Sequence, residues 1–242
     1  MSLKTEHELF FVKEGFALSF FLKQPLTKPN NQKALVLLHG VGSNETDLFG
    51  LANKLPGNLL IISPRGPYTI GTGSYAWYQV EFSTGKPVIN EVQEEHSRKI
   101  LIQFIEQIKV AYNIDKIYLG GFSQGAIMSY SIGLTHPSLV QGLVVLSGRI
   151  LEEIKSLVHE SKELGGLKIF IAHGIQDSTL PVAYARQAQQ YLLGLVLQLS
   201  YHEYTMGHQV NGEVLKDISE WLEANEDVKI IDQLAKINKP HT

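Results

Sequence analysis

Gly121-Phe122-Ser123-Gln124-Gly125 is the segment whose residue types and spacing most directly imply chemistry. A serine with glycine two positions away on either side, after an apolar run at 116–119 and before a helix-like stretch from 124, fits a sharp strand-to-helix turn. Such a turn presents the hydroxyl at the start of a helix, where unpaired backbone N–H groups favour developing negative charge. The chemistry implied is attack by Ser123 on an acyl carbon. The same residues also suit a structural turn, so the rest of the sequence must supply partners.

A serine is a weak nucleophile until a base takes its proton. His208, in Tyr204-Thr205-Met206-Gly207-His208, falls just beyond the last apolar run and before the last helical period. His136 and His159 precede any acid placed after a strand, and His202 lies inside a strand run. Asp177 follows the run at 168–172 through His173-Gly174-Ile175-Gln176, which completes the order serine, acid, histidine. Its role would be to orient His208 and stabilise the imidazolium; its competing reading is a cap for the helix near Pro181. An oxyanion needs backbone donors. The N–H of Gln124 is one; the N–H of Val41 is the other, because Gly40 and Gly42 let that loop approach a ligand closely. His39 is expected to brace the loop, His173 to support the one carrying Asp177, and Asn44 or Asp47 to cap the helix that follows the first. The Val41 loop lacks the lysine of a phosphate-binding loop and the third glycine of a dinucleotide fingerprint. His39, His173, Asp177 and His208 have no metal-type spacing. No metal or cofactor is expected.

These residues must be held by a scaffold, and the hydropathy pattern predicts one. Residues 34–38, 59–62, 116–119, 143–146, 168–172 and 198–204 are short and apolar nearly throughout, as strands buried on both faces are. Helical periods lie between the later runs, clearest at Ile100, Leu101, Phe104, Ile105 and Ile108, and again at 124–135, 182–193 and 212–222. The expected class is α/β: a mainly parallel sheet with helices on both faces, preceded by an antiparallel hairpin around Glu14-Gly15. Functional residues of such sheets sit past the carboxyl ends of the strands. Residues 64–90 lack periodicity and carry Tyr75, Trp77, Tyr78 and Phe82. Trp77 and Tyr78 are expected to bind substrate as aromatic walls, packing within the loop being the alternative. Residues 1–225 read as one domain. Residues 226–242 read as a tail, with apolar positions 230, 231, 234 and 237 forming a short amphipathic helix or an arm to a partner subunit, which leaves a homodimer open.

Composition narrows the partners. The 242 residues are 44% hydrophobic and 19% charged, enough for a full core. A formal net charge of −3 and scattered basic residues argue against nucleic acid. Cysteine is absent, which excludes thiolate catalysis and sulfur-bound zinc. The apolar stretch at 9–22 is interrupted by Lys13, Glu14 and Gly15, so neither a signal peptide nor an integral membrane span is expected, and the default location is cytoplasmic.

Taken in order, Leu37-Leu38-His39-Gly40-Val41-Gly42 with Asn44-Glu45 and Asp47-Leu48, Pro64-Arg65-Gly66-Pro67, Tyr75-Ala76-Trp77-Tyr78, the serine turn, His173-Gly174 with Asp177, and Gly207-His208 with Trp221-Leu222 resemble the carboxylesterase, phospholipase and acyl-protein thioesterase family of α/β-hydrolases, especially bacterial members. The resemblance implies a compact, lidless, metal-independent serine hydrolase acting on a small-molecule ester or thioester, lysophospholipids included, with Ser123, Asp177 and His208 as triad and Val41 and Gln124 as oxyanion donors. Ala126 departs from the glycine common there, and the tail has no counterpart. A peptidase or lactone hydrolase on the same fold, or a non-catalytic binding protein that kept it, are the alternatives.

Overall fold

The computed structural model describes residues 9–26, 31–81 and 87–225. Each apolar run is a strand of one eight-stranded sheet: β1 (Leu9–Val12), β2 (Phe20–Lys23), β3 (Lys33–Leu38), β4 (Leu59–Pro64), β9 (Lys116–Phe122), β10 (Gly142–Leu146), β11 (Lys168–Gly174) and β12 (Gln198–Tyr204). Spatial order is β1-β2-β4-β3-β9-β10-β11-β12. From β4 to β12 all neighbours are parallel, in a register that pairs Leu38 with Gly121 and Leu146 with Ala172. Parallel strands need covered crossovers, which is why the inner strands β3, β4 and β10 read as nearly unbroken apolar runs, whereas the edge strand β12 is mostly half-buried and carries Ser200, His202 and Glu203.

The two faces are covered unequally. One packs under α1 (Glu91–Ala111), α2 (Gln124–Thr135) and α5 (Ala183–Leu192), with Leu101, Phe104, Ile105 and Ile108 of α1 fully buried against Val36, Leu38 and Leu119. The stripe of α1 explains its placement. The other face carries α6 (Gly212–Ala224) and a seven-residue 3-10 helix, Leu48–Lys54, over Leu35, Leu37, Ile61 and Phe170. Two short helices, α3 (Glu152–Lys155) and α4 (Lys162–Gly166), connect β10 to β11. Among the described residues no helix is long and apolar enough to cross a membrane.

The N-terminal hairpin forms as expected, β1 antiparallel to β2, although its connection is wider than Glu14-Gly15. β2 continues antiparallel onto β4. The aperiodic stretch after β4 contains two small hairpins, β5 (Tyr68–Gly71) with β6 (Ser74–Ala76) and β7 (Val80–Glu81) with β8 (Val88–Ile89). Strands of two to four residues are too short to display an alternation. Phe82 and the tail at 226–242 lie outside the described residues.

Candidate active site

Ser123 occupies the junction of β9 and α2 with φ +54° and ψ −117°, a backbone conformation few side-chain-bearing residues adopt. Its neighbours impose it. A Cβ on Gly125 would lie 2.0 Å from the Leu38 carbonyl oxygen, and one on Gly121 would lie 2.4 Å from the Gly125 carbonyl carbon. The Ser123 N–H donates to Leu146 O at 2.9 Å, tying the turn to β10. The serine is thus raised above the strand ends by packing.

Three loops meet there. Ser123 Oγ–H donates to His208 Nε2 at 2.9 Å, and His208 Nδ1–H donates to Asp177 Oδ2 at 2.7 Å. The second distance is that of a charge-assisted bond. The other carboxylate oxygen, Oδ1, accepts the N–H groups of Thr179 and Leu180 at 2.9 and 2.8 Å. Asp177 therefore braces its own turn with one oxygen and orients the histidine with the other; it does not cap the following helix, which opens at Ala183 behind Val182 with no side-chain cap. The loop of β11 reaches that of His208 because Gly174 has no side chain, a Cβ there falling 2.3 Å from Met206 O. Phe122 lies beside the imidazole, ring centroids 4.7 Å apart. His173 is fully buried, donates from Nε2 to Leu180 O at 2.7 Å, and is held below its ordinary pKa by that burial. It supports the Asp177 loop as expected. His202 lies in β12, stacked on Phe170.

The loop after β3 is braced from several sides. A Cβ on Gly40 would lie 3.4 Å from Ser123 Cβ, so the Gly40–Val41 backbone runs against the nucleophile. His39 is fully buried; its Nε2 accepts the Gly66 N–H at 2.9 Å, which leaves the proton on Nδ1, donating to Gly40 O at 2.8 Å. Burial pushes its pKa below the ordinary value of 6.5, so the ring is a neutral brace. Gln124 opens α2, and its backbone N–H is one of those no intrahelical carbonyl satisfies. Asn44 and Asp47 differ from expectation. The element that follows is a 3-10 helix, and Asp47 makes no cap bond to it, accepting instead from Ser43 Oγ at 2.7 Å. Asn44 Oδ1 takes the N–H and hydroxyl of Thr46.

Trp77 and Tyr78 require a correction. They are 0% and 1% exposed, so they lie behind the site and present no wall to a ligand. Trp77 Nε1–H donates to His39 O at 2.9 Å, and its ring lies 5.2 Å from the His39 ring. Its backbone N–H donates to Gln124 Oε1 at 2.9 Å, and its carbonyl accepts from Ser97 Oγ in α1. Gln124 Nε2 completes the clamp by donating to Tyr78 O at 2.7 Å. Open space that His208 itself lines lies elsewhere. It is a cleft of about 240 Å³ lined by Asp47, Leu48, Leu51, Phe122, His208, Gln209 and Val210. Sequence reasoning assigned none of these apolar residues to a site, nor a role to the Gln124 side chain.

A model of the phospholipase/carboxylesterase family matches residues 26–226. A protein of Mycosarcoma maydis named acyl-protein thioesterase 1 is 32% identical over 215 residues, covering 78% of this chain and 89% of that protein. The fold is shared with a Bacillus cereus carboxylesterase, with TM-score 0.73, 22% identity and coverage of 86% and 94%. It is shared likewise with a carboxylesterase from Mesorhizobium loti, with TM-score 0.75, 19% identity and coverage of 89% and 98%. This chain belongs to the phospholipase/carboxylesterase family of α/β-hydrolases and is an ester hydrolase.

Proposed function

We propose that this ester hydrolase cleaves carboxylic esters or thioesters by two-step acyl transfer, with Ser123 as nucleophile, His208 as base and Asp177 as the orienting acid. The observation that carries the reading is the unbroken hydrogen-bonded chain from Asp177 Oδ2 through His208 to Ser123 Oγ. Ser123 Oγ forms the bond to the substrate carbonyl carbon as its proton passes to His208 Nε2, and Asp177 stabilises the imidazolium. The carbonyl oxygen, now an oxyanion, is met by the backbone N–H groups of Val41 and Gln124. Collapse breaks the bond to the alcohol or thiol, which leaves with the proton from His208. Water then attacks the acyl-serine as its proton passes to His208, and collapse breaks the acyl carbon–Oγ bond, releasing the acid while His208 returns the proton to Ser123 Oγ.

The acyl chain is placed in the cleft beside His208. Leu48, Leu51, Phe122 and Val210 line it with apolar surface, and its volume of about 240 Å³ holds about eight units of ~30 Å³, the space a water takes in the liquid. Short to medium chains suit that space. The name of the fungal relative favours thioesters as well as oxygen esters among the substrates. A non-catalytic role is disfavoured by the intact chain of three side chains.

A fluorophosphonate and intact-mass analysis test the reading. One adduct on Ser123 is expected in the parent, and none in Ser123→Ala. His208→Ala should cost about 10⁴ to 10⁶ in kcat on a p-nitrophenyl ester. Turnover near that of the parent in either variant would overturn the mechanism.

A further inference from the structure

The loop that carries Val41 also carries a buried charge. Glu45 is 3% exposed, and Arg65 grips it with both ends of the guanidinium: Nε–H donates to Oε2 at 2.7 Å and Nη2 to Oε1. Burial alone would push the Glu45 carboxyl up, yet the bonded guanidinium holds it below its ordinary value of 4.5, so the pair is ionic. Neither residue belongs to the triad or lines the cleft.

What Arg65 is fastened to shows what the pair can do. Its backbone N–H donates to Ser19 O at 2.9 Å, anchoring it to the chain entering β2. Its guanidinium lies over the Tyr75 ring at 4.6 Å and the Phe11 ring at 5.5 Å. Tyr75 in turn holds the Val41 loop by its backbone, accepting from Gly42 N–H at 2.9 Å and donating to Ser43 O at 2.8 Å. The contacts close a ring from Ser43 to Glu45, across to Arg65, on to Tyr75, and back to Gly42 and Ser43. Val41 stands just outside that ring, and on its other side Gly40 O is held by His39. A segment with glycine at 40 and 42 has wide backbone freedom. A bidentate fork fixes orientation as well as distance, which a single hydrogen bond or a lysine does not.

We propose that the Glu45–Arg65 pair is a positioning element for the oxyanion, holding the 39–47 loop so that the Val41 N–H meets the tetrahedral intermediate. The inference rests on the reading of Ser123 as nucleophile and Val41 as donor. Because the oxyanion exists only past the ground state, loosening the loop should lower kcat and leave substrate binding nearly unchanged. A pair that merely staples the fold would lower the thermal midpoint and leave kcat alone.

The test uses Glu45→Gln and Arg65→Lys in the full chain, with p-nitrophenyl butyrate for kcat and KM and an alkyl trifluoromethyl ketone as the tetrahedral analogue. Expected are a fall in kcat of about 10- to 100-fold, KM within about threefold, and ketone affinity weakened by about the same factor as kcat. Thermal midpoints are read in parallel. If Glu45→Gln fails to fold, Arg65→Lys decides, since it keeps the charge and loses the fork. A folded variant with parental kcat and ketone affinity overturns the proposal, as does a loss confined to KM or to the midpoint. Fluorophosphonate labelling separates the two levels: a parent not labelled at Ser123 defeats the underlying mechanism, whereas a labelled parent with unaffected variants removes only the positioning role.

Discussion

On one flank of Ser123, His39, Glu45, Trp77, Tyr78 and Gln124 are each at most 3% exposed and bound to one another or to Arg65 by directed hydrogen bonds; on the other, Leu51, Phe122 and Val210 stand half-buried around an open cleft. The first flank must present fixed dipoles to a charge that exists only briefly, and fixed dipoles need no reorganisation at that moment. The second must receive chains of differing length, for which contact without directionality suffices. Rigidity and tolerance are divided between two sets of residues around one site.

The sharpest way to break this comparison is at Trp77. If it is a beam of the rigid flank, Trp77→Ala should cost about 3–5 kcal/mol of stability, read by chemical denaturation, while the acyl-chain profile of the residual activity stays that of the parent. A shifted chain-length optimum with unchanged stability would move Trp77 back to the substrate side.

Acid should act first on two buried braces, His39 in the rigid flank and His173 under the Asp177 loop. His39 and His173 are buried with pKa values pushed below 6.5 by desolvation. As pH falls through 6.5 the unfolded chain takes up protons that the folded one refuses, so stability declines from there until the depressed folded values are passed. The carboxylates with lowered pKa, Glu45, Glu95 and Glu203, add their loss only below 4.5. Thermal midpoints should therefore begin to drop between pH 7 and pH 5, before any carboxylate contribution. A flat midpoint over that interval would contradict the buried neutral imidazoles.

The smallest effect belongs to the tolerant flank. Leu51→Ala should widen the cleft and move the optimum toward longer acyl chains, by about 0.8 kcal/mol, or about fourfold in kcat/KM, for each methylene newly accommodated. A p-nitrophenyl ester series on parent and variant measures it; identical profiles would place the acyl chain elsewhere.

The same division explains what could be read from sequence. The parallel strands, the serine turn, and the positions of Asp177 and His208 were legible because buried strands leave unbroken apolar runs and the chemistry comes just after them. The clamp of Gln124 on Trp77 and Tyr78 was not. It joins a side chain to backbone groups 46 and 47 residues away and leaves no local pattern. Nor could sequence decide between wall and beam for Trp77, since an aromatic residue among glycines looks the same in either role. Leu48 and Leu51 were invisible for the opposite reason: on a 3-10 helix they resemble any core leucine, and only the way that helix leans beside His208 makes a cleft of them.

Asn113, Ser123 and Ser147 are the described non-glycine residues with positive φ, and one of them is the proposed nucleophile. Such a conformation costs a side-chain-bearing residue on the order of 1–3 kcal/mol. Glycine at 123 would relieve that strain and end the chemistry in the same step. A screen that rewards only heat resistance would therefore drive this protein toward an inert relative of itself, and improvement by selection has to score turnover alongside survival.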